Sequence, residues 1–358
     1  MSEERRSPAA PAVTRVALAG FGAWGLMHAR AIASIEGAQV VAVLARSDAS
    51  RAEAARAVPG ARVADSLEQL LGFDGIDVVN VLLPNHLHAK AAVAALGAGC
   101  HVLLEKPLGL TLAECDAVID ATRSSGRLVA VNHELRVSRQ WGLVHERIAA
   151  GDLGRLRHQH LSLFRKAFRT GSNGWRYDPA RVGSWVLEEL VHFIDLVLWY
   201  RGASGDARLP QRVTAFGGDR SQALSDRFTL VMEWEDGATA VLNQCLGGFE
   251  HHTVLEVAGT DGALRTWWSG TMDRTTTPSF ELKLRRGQAG EIESLPVPLS
   301  GEVFELEEHL RQAYAGFAEG RSVLTPQEVR PSVAVALAAE RSWREQRPME
   351  MAGGGAAR

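Results

Sequence analysis

The chain has 358 residues, 46% of them hydrophobic, more than one core ordinarily holds and ample for two domains. Its 39 basic and 42 acidic side chains leave a formal net charge of −3, so nothing draws it as a whole to nucleic acid or an anionic membrane, and small molecules are the expected partners. Three widely separated cysteines, Cys100, Cys115 and Cys245, exclude a disulfide framework and a clustered thiolate metal site, and suit a reducing, cytoplasmic setting.

The first twelve residues carry Arg5 and Arg6 followed by Pro and Ala, without the apolar run of a signal peptide. No apolar stretch approaches the ~20 residues that span a bilayer. Residues 1–12 and 353–358 are too poor in large apolar groups to pack and are expected to fray.

From residue 13 to about 132, short apolar runs alternate with longer Ala-rich stretches. The runs 16–19, 40–44, 78–83, 102–104 and 128–131 suit buried parallel strands, and the intervals 24–34, 50–57, 87–98 and 112–124 suit the helices that cross between them. Such a series buries both faces of its sheet and binds ligands at the carboxyl ends of its strands. Residues 13–133 are therefore expected to form a doubly wound, Rossmann-type domain.

Beyond it the alternation breaks. A helix near 140–149 precedes an Arg-rich strand-and-loop stretch, and a second helix is expected over 185–200. Between 213 and 299 come strands of alternating character, such as 228–234 and 238–244, separated by Asp236-Gly237, Gly247-Gly248 and Asp261-Gly262 turns. Residues 134–326 thus read as an α+β domain on a mostly antiparallel open sheet. Of the two closing helices, 302–319 is expected on this sheet and 327–346 back on the first domain.

The strongest motif is Gly20-Phe21-Gly22-Ala23-Trp24-Gly25, which follows the first strand and opens the first helix. In that context the first glycine permits the turn and the second lets a diphosphate approach the backbone. The helix amino terminus then offers unpaired N–H groups to the anion. Where an NAD enzyme carries an acidic residue for the ribose hydroxyls, this chain has Ala45, followed by Arg46 and Ser47. Those two suit a 2′-phosphate, so NADP is favoured over NAD.

The run Leu82-Leu83-Pro84-Asn85-His86-Leu87-His88-Ala89, and after a helix Gly99-Cys100-His101-Val102-Leu103-Leu104-Glu105-Lys106-Pro107-Leu108, resembles the glucose-fructose oxidoreductase, inositol dehydrogenase and rhizopine catabolism family, Gfo/Idh/MocA. The resemblance begins at the glycine turn and resumes around His192, covering most of the chain. It implies a nicotinamide-dependent oxidoreductase acting on a secondary alcohol of a sugar, cyclitol or sugar derivative. It extends the cofactor surface to Leu83, Pro84, Asn85, His88, Glu105, Lys106 and Asn132. It also puts Lys106 beside the reacting carbon, where burial could lower a lysine's pKa from ~10.4 toward neutrality. Pro107 is expected to shape the turn after it, with a cis bond open.

The second catalytic element is Trp185-Val186-Leu187-Glu188-Glu189-Leu190-Val191-His192. On a helix Glu188 and His192, four apart, face the same cleft. The resemblance makes His192 the proton-transfer group and Glu188, where relatives commonly have Asp, its substrate-orienting neighbour. Glu189 and His192 also form a Glu-x-x-His pair, but a di-iron site needs a second such pair and none is found, so no metal is expected. The pairs His158/His160 and His251/His252 read as structural or solvent-facing.

Three polar segments, 132–136, 165–169 and 174–178, read equally as solvated loops or as substrate contacts, and in the second reading His133, Arg165, Trp175 and Arg176 join Lys106, Glu188 and His192. The cluster Arg165, Lys166, Arg169, Arg176 and Arg181 suits a carboxylate, phosphate or nucleotide-sugar equally well. As in many relatives, the open sheet is expected to pair subunits into a homodimer or homotetramer, burying exposed Trp267 and Trp268. Two other functions stay open: a nicotinamide-binding sensor without turnover, and redox-neutral glycoside processing with retained NAD.

Overall fold

The computed structural model describes residues 13–287 and 289–351. The two ends expected to fray, 1–12 and 353–358, lie outside the described residues.

The first half alternates strand and helix: β1 (Thr14–Ala19), α1 (Ala23–Ala33), β2 (Ala38–Leu44), α2 (Asp48–Ala57), β3 (Arg62–Ala64), α3 (Leu67–Leu71), β4 (Val78–Val81), α4 (His88–Gly97), β5 (His101–Glu105), α5 (Leu112–Ser125) and β6 (Val129–Asn132). The six strands are parallel in the order β3-β2-β1-β4-β5-β6. The order reverses between β1 and β4, which opens a crevice at their carboxyl ends. Strand interiors such as Val79, Val81, Val102 and Leu104 are fully buried, as a sheet covered on both faces requires. The sequence reading lacked β3 and α3, three and five residues long, too short for a period to register.

The second half runs α6 (Arg139–Ala149), β7 (Leu156–Phe164), α7 (Pro179–Val182), a π-helical turn (Val186–Leu190) leading directly into α8 (Val191–Ala203), β8 (Arg212–Gly217), β9 (Arg227–Glu233), β10 (Thr239–Cys245), β11 (His251–Gly259), β12 (Gly262–Gly270), β13 (Ser279–Arg286), β14 (Ile292–Ser294), α9 (Glu302–Ala318), α10 (Pro326–Glu345) and β15 (Met349–Glu350). These strands make one sheet in the order β14-β13-β12-β11-β7-β10-β9-β8-β15. It is antiparallel except where β7 inserts between β11 and β10, parallel to β10. Its inner face packs on α6 and α8 through Leu161, Leu163, Leu242, Val144 and Ile194.

The first of the closing helices departs from expectation. Helix α9 does not cover the antiparallel sheet; Leu306, Leu310, Tyr314 and Phe317 pack with Val16, Leu18 and Ile32 of the first domain. Its apolar face follows a helical period, which says that something covers it but not what. Full burial of Leu306 and Leu310 contributes about 1.5–3 kcal/mol each toward holding the two halves together. Helix α10 lies between both sheets, packed on β8 and α8 on one side and α5 on the other, where Arg330 pairs with Asp116 at 2.6 Å.

Candidate active site

The glycine turn joins β1 to α1 against the loop after β4. Gly20 has φ +116°, and a Cβ there would lie 2.7 Å from the Leu82 carbonyl oxygen; at Gly25 it would lie 2.5 Å from the Gly20 oxygen. At Gly22 a Cβ would meet nothing within 4 Å. Two of the glycines are thus required by the protein's own packing, and the third borders open space at a helix amino terminus, a cradle that fits a diphosphate. Phe21 is buried, Ala23 is exposed and Trp24 half-buried. Arg274, from the β12–β13 loop, lies over the Trp24 ring at 4.5 Å. At the end of β2, Arg46 is exposed with a side chain free of ion pairs among the described residues, while Ser47 caps α2 in a reciprocal pair with Ser50.

Glu105 ends β5 and Lys106 follows it, and the Lys106–Pro107 bond is cis. Beneath them runs a buried chain of hydrogen bonds. Asn80 on β4 donates to Tyr314 (2.8 Å), and its amide nitrogen lies 3.1 Å from His28 Nδ1. His28 Nε2 lies 3.0 Å from Glu105, and Asn132 on β6 donates to the same Glu105 oxygen at 2.7 Å. His309 of α9 closes the chain on Asn132. Burial alone would raise the Glu105 pKa, but His28, Trp24 and Lys106 hold it down to about 2. Asn132 is 0% exposed and Glu105 6%, so both support the cleft floor. Leu83 and Pro84 flank the crevice, half-buried. The His88 ring spans two loops, 2.7 Å from Leu83 O and 2.9 Å from Pro107 O, and at 1% exposure is a staple between them.

Lys106 points across to the π-helical turn and donates to the Glu188 carbonyl oxygen. The sequence reading had burial lowering its pKa. Burial does act in that sense, but Glu188, Glu189, Glu134 and Glu105 surround the ammonium and raise its pKa above the ordinary lysine value. His192 is displaced oppositely: burial first, then Lys106 and His133, push it well below 6.5. Lys106 is therefore a cation and His192 a neutral imidazole at pH 7.

Glu188 and His192 do not share a cleft face in the manner of an α-helical i,i+4 pair. The π-helical turn carries one residue more per hydrogen-bonded loop, so the carboxylates rotate out of that register. Glu188 turns to Arg176 (2.7 Å) and Asn85 (2.9 Å); burial would raise its pKa, but Lys106 and Arg176 hold it low. Glu189 is the carboxylate that faces the cleft with His192.

That cleft lies between the domains, a cavity of about 80 Å³ open to solvent, with Lys106, Arg165 and His192 on its wall. His133 and Trp175 are not on the wall: His133 is buried edge-on to His192 with ring centroids 5.3 Å apart, and Trp175 is buried under Arg176. Arg176 and Asn85 serve Glu188 from behind. The arginine cluster has little left to offer an anion. Arg165 pairs with Glu189 (2.7 Å) and Asp273 (3.2 Å), Arg169 with Asp273 (3.6 Å), Arg176 with Glu188, and Arg181 donates to the Asn173 carbonyl.

Glu134 and Leu135 on the wall come from the expected 132–136 segment, whereas most of the other wall residues come from elements not expected in the site. Contrary to the expectation of a structural or solvent-facing His251 and an exposed Trp268, both line the cleft with rings 5.3 Å apart, and Trp268 is 5% exposed. Glu134, Trp141, Thr253, Asp273, Glu302 and Glu305 complete the wall with Leu135, Phe193 and Gly301. Thr253 and Trp268 are register partners on β11 and β12, so inward alternation along those strands was the available signal. Among the described residues no group of three or more His, Cys, Asp or Glu side chains is arranged to hold a metal ion, and no helix is long and apolar enough to cross a membrane.

A glycine turn at the switch point of a parallel sheet, with a lysine and a histidine on the facing cleft, defines a nicotinamide-dependent oxidoreductase. The chain belongs to the Gfo/Idh/MocA oxidoreductases: residues 14–133 match the NAD-binding Rossmann fold of that family and residues 141–265 its C-terminal domain. It is 25% identical over 308 residues to 4-carboxy-2-hydroxymuconate-6-semialdehyde dehydrogenase of Sphingobium sp., covering 86% of this chain and 91% of that one. To inositol 2-dehydrogenase of Leifsonia xyli subsp. xyli it is 29% identical over 274 residues, 75% and 77% of the two chains. An oxidoreductase domain protein from Kribbella flavida superposes with a TM-score of 0.82 at 20% identity, over 95% of this chain and all of the other.

Proposed function

We propose that the protein is an NADP-favouring dehydrogenase or reductase acting at a secondary alcohol or ketone of a polyol, sugar or cyclitol, with Lys106 and His192 as its catalytic pair. The observation that carries this reading is Lys106 and His192 on the wall of one cleft, where surrounding carboxylates raise the lysine pKa and burial lowers that of the imidazole. When bound, the nicotinamide supplies the hydride acceptor or donor. Gly20–Gly25, with Leu83 and Pro84 across the crevice, would hold the diphosphate, and Arg46 the 2′-phosphate.

In alcohol oxidation His192 takes the hydroxyl proton, for which a neutral ring is the competent form. Lys106 donates a hydrogen bond to the same oxygen and stabilises the negative charge growing on it. In ketone reduction the proton returns by the same route. Glu188, braced by Arg176 and Asn85, fixes the turn whose carbonyl holds Lys106; it positions the lysine rather than contacting the substrate.

The relatives named for inositol and for 1,5-anhydro-D-fructose support a polyol. The carboxyl-bearing substrate in the name of the Sphingobium relative would find the cleft arginine already paired. A homodimer or homotetramer through the outer sheet face is supported by Phe164 and Phe216, 49% and 62% exposed. Trp268 does not contribute, because it faces inward. The cytoplasm suits the cofactor and the three free thiols.

The test is absorbance of reduced nicotinamide with NADP or NAD and a panel of inositols, aldoses and glycosides, with Lys106→Ala and His192→Ala alongside. Turnover silenced in both variants while cofactor still binds is the expected result. Cofactor binding without turnover in either direction would turn the reading toward a sensor.

A further inference from the structure

The cleft wall carries more carboxyl groups than its cations can satisfy. Five acids line it, Glu134, Glu189, Asp273, Glu302 and Glu305, against Lys106 and Arg165. Arg165 is divided between Glu189 and Asp273, and Lys106 donates to the Glu188 carbonyl. Glu305 accepts from Ser300 and from the Gly301 amide. Two carboxyls remain. Glu134 is 4% exposed, and its Oε2 has no hydrogen-bond partner among the described residues; its Oε1 is 3.8 Å from His192 Nε2, beyond a hydrogen bond. Glu302 Oε2 is likewise without a hydrogen bond, its nearest ion-pair partner being Arg274 at 3.8 Å.

A buried carboxyl oxygen without a donor costs on the order of 1–3 kcal/mol, more if charged, and is retained where something else fills the need. We propose that the substrate carries a protonated amine, as in an amino-sugar or amino-cyclitol, and that Glu134 and Glu302 receive it. An ammonium brings three donors and a full charge to two acceptors, whereas a hydroxyl brings one donor and an acceptor that the carboxylates repel. Trp141 and Trp268 stand on the same wall, and an indole face favours a cation. Burial and neighbouring carboxylates push Glu134 well above the carboxylate range and Glu302 up to about 8, a displacement that an ammonium beside them would oppose.

This rests on the oxidoreductase reading of the same cleft, and the experiment separates the two. The full-length protein with NADP is given matched sets on glucose, galactose and inositol scaffolds: the hydroxyl parent, its amino-deoxy analogue, the N-acetylated amine and, for the aldoses, the uronate. Rates are read from reduced nicotinamide and binding from calorimetry. The expected result is at least a tenfold preference for an amine over its hydroxyl and N-acetyl counterparts on one scaffold. Glu134→Gln and Glu302→Gln should each bring that ratio toward one, with Arg30→Ala on the exposed side of α1 leaving it unchanged. Preferential amine binding without turnover upholds the amine site and overturns the oxidoreductase reading. Amines that neither bind nor react better than their hydroxyl parents on any scaffold overturn the amine site, as does a uronate that outperforms both.

Discussion

Replacing the three glycines of the first turn by alanine, one at a time, separates the demands of the fold from those of the cofactor. At Gly22 the backbone is extended (φ −87°, ψ −162°), which alanine adopts freely, and the new methyl meets no atom within 4 Å. Alanine is a poor helix N-cap, at a cost of several tenths of a kcal/mol, but it loses less chain entropy on folding, and the two effects offset to within about 0.5 kcal/mol. The methyl nevertheless stands where a diphosphate must approach the α1 amino terminus. Losing two charge-assisted hydrogen bonds at about 1.5 kcal/mol each weakens cofactor binding by ~3 kcal/mol, on the order of a hundredfold in Kd. Gly20→Ala and Gly25→Ala behave differently, because their methyls would lie 2.7 Å and 2.5 Å from carbonyl oxygens and each should cost about 1–3 kcal/mol of stability. Titration of reduced-cofactor fluorescence, paired with thermal unfolding, reads both quantities. A folded Gly22→Ala protein that binds cofactor as tightly as the parent would refute the assignment of this turn.

Four further outcomes follow from the site and its supports. With Lys106 charged and His192 neutral, kcat for alcohol oxidation should be flat from pH 6 to 8, and a limb with midpoint near 6.5 would mean that His192 titrates as an ordinary histidine. Lys106→Ala should lower kcat by a factor of about 10²–10⁴ while cofactor affinity holds, measured by the same fluorescence titration. Arg46→Glu should raise the KM for NADP at least tenfold and spare NAD; equal loss with both would remove Arg46 from the cofactor site. Arg201, 1% exposed, bonds Asp206 and Asp236 at 2.5 and 2.6 Å, so Arg201→Leu should cost about 3–5 kcal/mol in denaturant unfolding at pH 7. Arg208 and then Arg201 hold Asp206 below the carboxylate range, and Arg201 holds Asp236 low against the effect of burial. Depressed carboxyl pKa values give stability that is present above pH ~4 and lost below it, so the deficit of the variant should shrink on acidification.

The parallel half of the molecule was legible because each of its signals is local. An apolar run, a glycine turn and an Ala-rich helix succeed one another within about thirty residues, and the chemistry sits where that pattern ends, at Gly20 and Lys106. Short elements escaped: Arg62–Ala64 is a strand only because β2 offers it an edge. The destination of α9 escaped as well, since its apolar face fits a sheet and a neighbouring helix equally. The offset at Glu188 was hidden for another reason. Spacing of four implies a shared face only in an α-helix, and nothing in Val186-Leu187-Glu188-Glu189-Leu190 distinguishes a π-helical turn.

The cleft wall was the least legible part, and its logic is non-local. His251, Trp268 and Glu302 belong to three separate elements, and they meet because β7 inserts between β10 and β11 while α9 crosses to the other domain. Alternation along β11 and β12 says which side chains share a face, but whether that face is inner or outer depends on helices far away in sequence. Charge carries the same lesson. The arginines between 165 and 181 read as an anion site because their partners, Glu188, Glu189 and Asp273, are invisible to local pattern. Once those pairs are drawn, the surplus on the wall is carboxylate rather than guanidinium, and the anion that the arginines alone would suit has no free cation to meet there.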